Sequence, residues 1–144
     1  IGELRSGSVV SIIQYRGRWA AILVPHPVRY WDNSRPLVAE LAKLRTKYLQ
    51  PPYMKKEHPW LHQPTPVAIG TMDDMRRNTA AVFGRVLRNT VYVLTYYDEY
   101  ESMTLVPLPR EMSEDAVRAL AREMQEAITP NVVGYTLSFN EVTE

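Results

Sequence analysis

Residues 80–108, AAVFGRVLRNTVYVLTYYDEYESMTLVPL, carry the pattern that decides the fold. Three apolar runs, Ala80–Leu87, Thr90–Tyr97 and Met103–Leu108, follow one another with short breaks. The first break is Arg88-Asn89 and the second is the acidic Asp98-Glu99-Tyr100-Glu101. Strands joined this directly pair antiparallel, because a parallel partner needs a long crossover. In the middle run Val91, Val93 and Thr95 alternate with Tyr92, Leu94 and Tyr96, the period of a strand. Both of its faces are apolar, so both are expected to be covered. The stretch reads as an antiparallel meander.

Upstream of it, Pro66–Thr71 reads as a short strand and Asp73–Asn78 as a turn or single helical turn. Residues 50–66 hold Pro51, Pro52, Pro59, Pro64 and Pro66, a long stiff loop of the kind that often carries function. Ser34–Leu49 reads as a helix, with Ser34 as the cap and Pro36 in its first turn. Its apolar stripe is Leu37, Leu41, Leu44 and Tyr48. Leu4–Tyr15 and Trp19–Val24 are β-rich runs on either side of Arg16-Gly17, a hairpin signal. Downstream, Ser113–Ile128 is a helix capped by Ser113, with Val117, Leu120, Met124 and Ile128 turned to the core. Val132–Phe139 reads as a last strand. The expected fold class is α+β: a single domain over residues 1–144, with an antiparallel sheet of about six or seven strands and two helices packed on it.

The length of 144 residues and a 45% hydrophobic content suit one globular core. Ile1 in place of Met suggests a processed chain or an excised domain. No apolar run approaches the roughly 18 residues that cross a bilayer, so a membrane partner is not expected. The chain has no cysteine, which excludes disulfides, thiol catalysis and thiolate metal sites. It also fits an intracellular, reducing compartment. The net charge of +1 conceals an asymmetry. Residues 1–97 hold fourteen Lys and Arg against six acids, a balance of +8, and residues 98–144 hold three against ten, a balance of −7. Two electrically different surfaces follow, or two parts that attract each other.

The basic part interleaves cations with rings. Tyr15, Arg16, Arg18 and Trp19 surround the first turn, and Arg29, Tyr30 and Trp31 follow the second strand. Lys43, Lys47, Lys55 and Lys56, with Arg45, lie near Tyr48, Tyr53 and Trp60. Rings beside cations can stack unpaired bases while the charges hold phosphates. The first expectation is therefore a non-catalytic module that binds single-stranded RNA or DNA. The competing reading of the same residues is core aromatics with solvated arginines. A second expectation is a protein-interaction or self-assembly domain that uses Tyr97 and Tyr100, the exposed members of a Tyr-rich hairpin. A third is a metal-dependent nuclease built on Asp73 and Asp74, or on Asp98, Glu99 and Glu101. Acids at turns are common, and neither a nucleophile motif nor a Gly-rich phosphate loop occurs. No catalytic residue and no cofactor is expected. His58 and His62 have the four-residue spacing of a zinc pair, but Pro59 interrupts them and no third ligand follows, so no metal site is expected either.

One resemblance is local. Ser6-Gly7-Ser8-Val9-Val10, followed by Arg18-Trp19-Ala20-Ala21-Ile22-Leu23-Val24, resembles the opening hairpin of small SH3-like barrels, including some toxin ribonucleases. It covers about a sixth of the chain, and the remainder carries no corresponding pattern, so no family is assigned.

Overall fold

A computed structural model describes residues 9–97, 99–130 and 134–143. The expected strand positions at Leu4–Ser8, Val132 and Val133, and Asp98 of the acidic turn, lie outside the described residues. The elements run β1 Ser11–Tyr15, β2 Arg18–Pro25, α1 Arg35–Tyr48, β3 Val67–Thr71, α2 Met72–Arg77, α3 Thr79–Val86, β4 Val91–Tyr96, β5 Tyr100–Pro107, α4 Glu114–Ile128 and β6 Ser138–Val142. One six-stranded sheet has the order β3-β4-β5-β2-β1-β6.

The chain is α+β as expected, but the sheet is mixed. β3 pairs parallel with β4, and β6 parallel with β1. The physical cause of the first parallel pair is the segment expected to be a strand at Ala80–Leu87, which is helix α3. Its β-branched residues suggested a strand, but Val82, Phe83 and Val86 fall on one helical face and are buried, while Ala80 and Ala81 are exposed. With α2 and α3 between them, β3 and β4 have the crossover that parallel pairing requires. Only β4 and β5 remain as a direct hairpin in that region. Likewise α4 carries the chain from β5 to the far side of β1, where β6 joins parallel. The resemblance to an SH3-like barrel ends at its first hairpin, since this sheet is open.

The sheet is covered on both faces. On one face, α1 and α4 enclose Ile12, Ile22, Val24, Leu37, Leu41, Val106, Leu120 and Met124. On the other, Ile13, Ala21, Tyr92, Leu94 and Leu105 meet Val82, Phe83 and Val86 of α3. The alternation in β4 sends Val91 and Val93 to Val38 of α1, and Tyr92 and Leu94 to α3. The expected stripes of α1 and α4 face inward, with Leu44 only half-buried. Two helices were expected to cover the sheet; α3 is a further one, and the short α2 leads into it.

Local sequence explains the ends of these elements. Arg16 and Gly17 have φ of 52° and 74°, the paired positive angles of a type I′ hairpin turn. The Ser113 hydroxyl caps α4 by accepting from the Ala116 N–H at 3.1 Å. At α1 the cap is tertiary. The Ser34 hydroxyl, expected to accept from the helix, instead donates to Glu101 Oε1 at 2.5 Å, and the Ser34 N–H donates to the same oxygen at 2.9 Å. A carboxylate from β5 therefore sits at the positive end of α1.

Candidate binding surfaces

The antiparallel β2–β5 pairing sets two opposite ends of the sheet. Pro25 lies beside Met103, near the β4–β5 turn, and Ala21 beside Pro107. The Arg16-Gly17 turn thus belongs to one end, and Arg29–Trp31 with the tyrosine hairpin to the other. The basic and aromatic residues expected to form one face are divided between them.

At the Arg16 end, the rings are spent on packing. Tyr15 is 2% exposed and stacks on Phe83 with centroids 4.9 Å apart. The Arg16 guanidinium lies 5.1 Å from the Tyr15 ring centre. The Trp19 indole N–H donates to the Met112 carbonyl at 3.0 Å, and its ring packs on Phe139. Tyr48 is buried and donates to Glu123, which also pairs with Lys47 at 2.9 Å. Burial, and then that hydrogen bond, raise the Tyr48 pKa. Arg45 is no surface cation: it is 2% exposed and donates to the Pro107 carbonyl at 3.2 Å and the Thr65 hydroxyl at 3.3 Å. Burial pushes its pKa down to about 10, so it stays charged at neutral pH.

Lys43, Lys55 and Lys56 are exposed. Lys55 and Lys56 line a groove of about 470 Å³ with Tyr53, His58 and Glu111. Arg18 lies close enough to Arg110 and Glu111 for their charges to act on it; burial first, and then Arg110, lower its pKa. The groove therefore carries both signs.

His58 caps a single 3₁₀ turn, Pro59–His62, and His62 is its last residue. The Nδ1 of His58 accepts from the Trp60 N–H, and its Nε2 faces Glu111 at 3.2 Å, while His62 faces Glu57 at 2.9 Å. The two rings thus have separate partners, and among the described residues no three His, Asp or Glu side chains gather to hold a metal ion. Of the carboxylates considered for a nuclease, Asp73 pairs with Arg77 at 3.3 Å, Asp74 completes the α2 capping box, and Glu101 holds Ser34, while Asp98 lies outside the described residues. Among the described residues no helix is long and apolar enough to cross a membrane.

The opposite end presents aromatic surface. Tyr97 is 76% exposed, and Tyr96 and Tyr100 are exposed beside it. The Tyr96 and Tyr97 rings meet at a tilt of 53° with centroids 4.2 Å apart, and Trp31 packs on Tyr100 at 5.6 Å. The Trp31 indole donates to the His26 carbonyl at 2.9 Å, and the Trp31 carbonyl accepts from the Glu101 N–H at 2.9 Å. The ring is thereby fixed to β5. Arg29 lies over the half-buried Tyr30 at 4.8 Å, and Val28 is exposed next to it. Sequence reasoning assigned Trp31 and Tyr100 to different ligands; tertiary structure joins them. It missed His26, buried beneath this patch, whose ring bridges the Glu101 carbonyl and the Thr104 hydroxyl at 2.6 Å each. The only signal was a histidine between two prolines at a strand end.

A second groove, about 480 Å³, runs between α1 and β3. Its floor is apolar, with Val38, Ala42, Val67, Ile69 and Val93, and Arg35 and Glu101 close one end. Sequence reasoning did not find it, because its two walls are distant in the chain. Comparison with known proteins finds no matching family, no similar curated sequence and no similar solved structure.

Proposed function

We propose that this domain is a non-catalytic binding module that receives a protein partner on the aromatic end of its sheet. The observation that carries this reading is the exposed trio Tyr96, Tyr97 and Tyr100, backed by Trp31, in a molecule whose other Tyr, Trp and Phe rings are buried or half-buried in packing. Tyr and Trp offer large, stiff contact area with a polar tip, the composition of interface hot spots. Among the described residues the exposed charges near the trio are of both signs, Arg29 and Arg35 beside Asp32 and Glu99. Single-stranded nucleic acid would call for a basic surface around such rings. Here the free lysines belong to the other end.

A photo-crosslinking benzoylphenylalanine at Tyr97 tests this in cells that make the protein. Capture of one discrete protein at Tyr97, and not with the same probe at Arg122 on α4, is the expected result. Tyr100→Ala should reduce the capture at least tenfold. Nucleic acid as the main adduct would overturn the reading. A second reading, single-stranded nucleic acid, rests on Lys55 and Lys56 along their groove with Arg18 and Arg110 nearby. It requires salt-sensitive binding of a labelled oligonucleotide that is lost on K55E/K56E.

A further inference from the structure

We propose that two copies of this chain join through β3, antiparallel about Ile69, so that their sheets become one. The inference concerns a different surface from the aromatic end and stands apart from it.

The starting point is the hydrogen bonding of β3. The Val91 N–H donates to the Pro66 carbonyl at 2.9 Å, with Val67 level with Val91. In a parallel ladder this phase directs the backbone groups of Pro66, Ala68 and Gly70 toward β4. Those of Val67, Ile69 and Thr71 point away from the sheet. The Thr71 N–H is taken by Asp74 Oδ2 at 3.3 Å, and the Thr71 carbonyl, as that of the α2 N-cap, accepts from the first turn of the helix, which leaves both groups of Val67 and Ile69. These are the donors and acceptors that a further strand would meet.

Soluble proteins guard such an edge with charge, proline within the strand, or a bulge. Over Val67–Gly70 β3 has none of these, and the Asp74 carboxylate meets the strand at Thr71, its last residue. Residues Gln63 to Met72 contain no charged side chain, in a chain of which 23% is charged. Val67 and Ile69 are 55% and 62% exposed. The opposite edge, β6, differs: Ser138, Asn140 and Glu141 are exposed along it.

The occupant that fits is the strand itself. A two-fold axis at Ile69 sets Ile69 against Ile69 of the second copy and Val67 against its Thr71. Every opposed pair is then uncharged and either β-branched or apolar, which suits cross-strand packing. Ile69 exchanges two hydrogen bonds with its counterpart, and Val67 lies level with Thr71 on either side of that pair. An edge of five residues is too small for a stable interface, which needs on the order of 1,200 Å² or more. The groove beside it extends the contact. Val67 and Ile69 of both copies share one face with Val38 and Ala42 of α1, so the two grooves merge into one apolar layer.

Sedimentation equilibrium of the purified chain tests this at up to about 200 µM, where a dimer with Kd in the tens of micromolar is largely assembled. The expected mass at that limit approaches twice 16.6 kDa. Ile69→Lys should restore the monomer mass while keeping the circular dichroism and melting of the parent. Asn140→Lys on the other edge should leave the dimer intact. Amide exchange at Val67 and Ile69 should slow as wild-type concentration rises, which decides the matter should Ile69→Lys fail to fold. Monomer at 200 µM overturns the proposal, and so does a dimer that persists in Ile69→Lys or shows no protection at these two amides. Tyr97→Ala should not change the mass, so this proposal and the aromatic surface fail independently.

Discussion

Burial holds the His26 imidazole below its usual pKa, and both ring nitrogens already have partners. A neutral ring satisfies both contacts, with Nδ1–H donating to the Glu101 carbonyl and Nε2 accepting from Thr104. Protonation is favoured in the unfolded chain, which therefore binds more protons as pH falls. Stability is present above the unfolded pKa of about 6.5 and is lost as pH drops below it, toward the folded value. Glu101 adds a lower window of the same sign. The hydrogen bond from the Ser34 hydroxyl holds its carboxyl below 4.5, so its contribution is lost as pH falls further. Urea midpoints between pH 7.5 and 5 should decline, and His26→Gln should flatten that decline. A flat wild-type profile would remove His26 from the account. The core itself is tested at Leu120, which is fully buried between α4 and the sheet. Leu120→Ala should cost about 2–5 kcal/mol, from lost transfer energy and the residual cavity, read from chemical denaturation. A midpoint equal to wild type would take α4 out of the core.

At the scale of elements, β3 is held to β4 by more than its ladder. Gly70 lies under the Tyr92 ring so closely that a Cβ there would come 2.7 Å from the Tyr92 hydroxyl and 2.9 Å from a ring carbon. The glycine is needed for close approach, not for its backbone angle. Gly70→Ala should overpack the site and cost about 1–3 kcal/mol. Tyr92→Leu removes the opposing ring, so Gly70→Ala should cost less in that background. Additive costs in a double-mutant cycle would show that the contact is not the cause. The structure departs furthest from the sequence expectation at α3. Ala80–Leu87 offered Val82, Phe83 and Val86 with Leu87, and β-branched residues favour strands. Periodicity over eight residues separates a short buried helix from a strand poorly.

For the whole molecule, the sheet order places β2 and β5 at the centre and β3 and β6 at the edges. Two covered faces and a ladder on each side leave β5 and β2 only global unfolding as a route to exchange. Native-state amide exchange should therefore find the slowest amides at Ile22, Val24, Leu105 and Val106, and fast ones in β6. Slower exchange in β6 than in β5 would contradict this order of protection. Charge is distributed on the same scale. The +8 and −7 parts of the sequence meet where Lys47 pairs with Glu123 and where Arg18 lies near Glu111. Part of the asymmetry is thereby resolved inside the fold.

The sequence alone determined the elements whose signals are local. The hairpin turn at Arg16-Gly17, the stripes of α1 and α4, the Ser113 cap and the exposure of Tyr97 and Tyr100 all follow from neighbours a few residues apart. Tertiary structure decided what depends on distant partners. Whether Tyr15, Trp19 and Arg45 face solvent was fixed by Phe83, Phe139 and Pro107, from 62 to 120 residues away. The parallel pairing of β3 and β6 was fixed by where α3 and α4 return the chain. The grooves exist only once α1 lies along β3, and the long loop along the start of α4. A side chain's type states what it can do, but burial and partners decide which of those possibilities remain, because the free energy of a ring or a charge depends on what replaces its water.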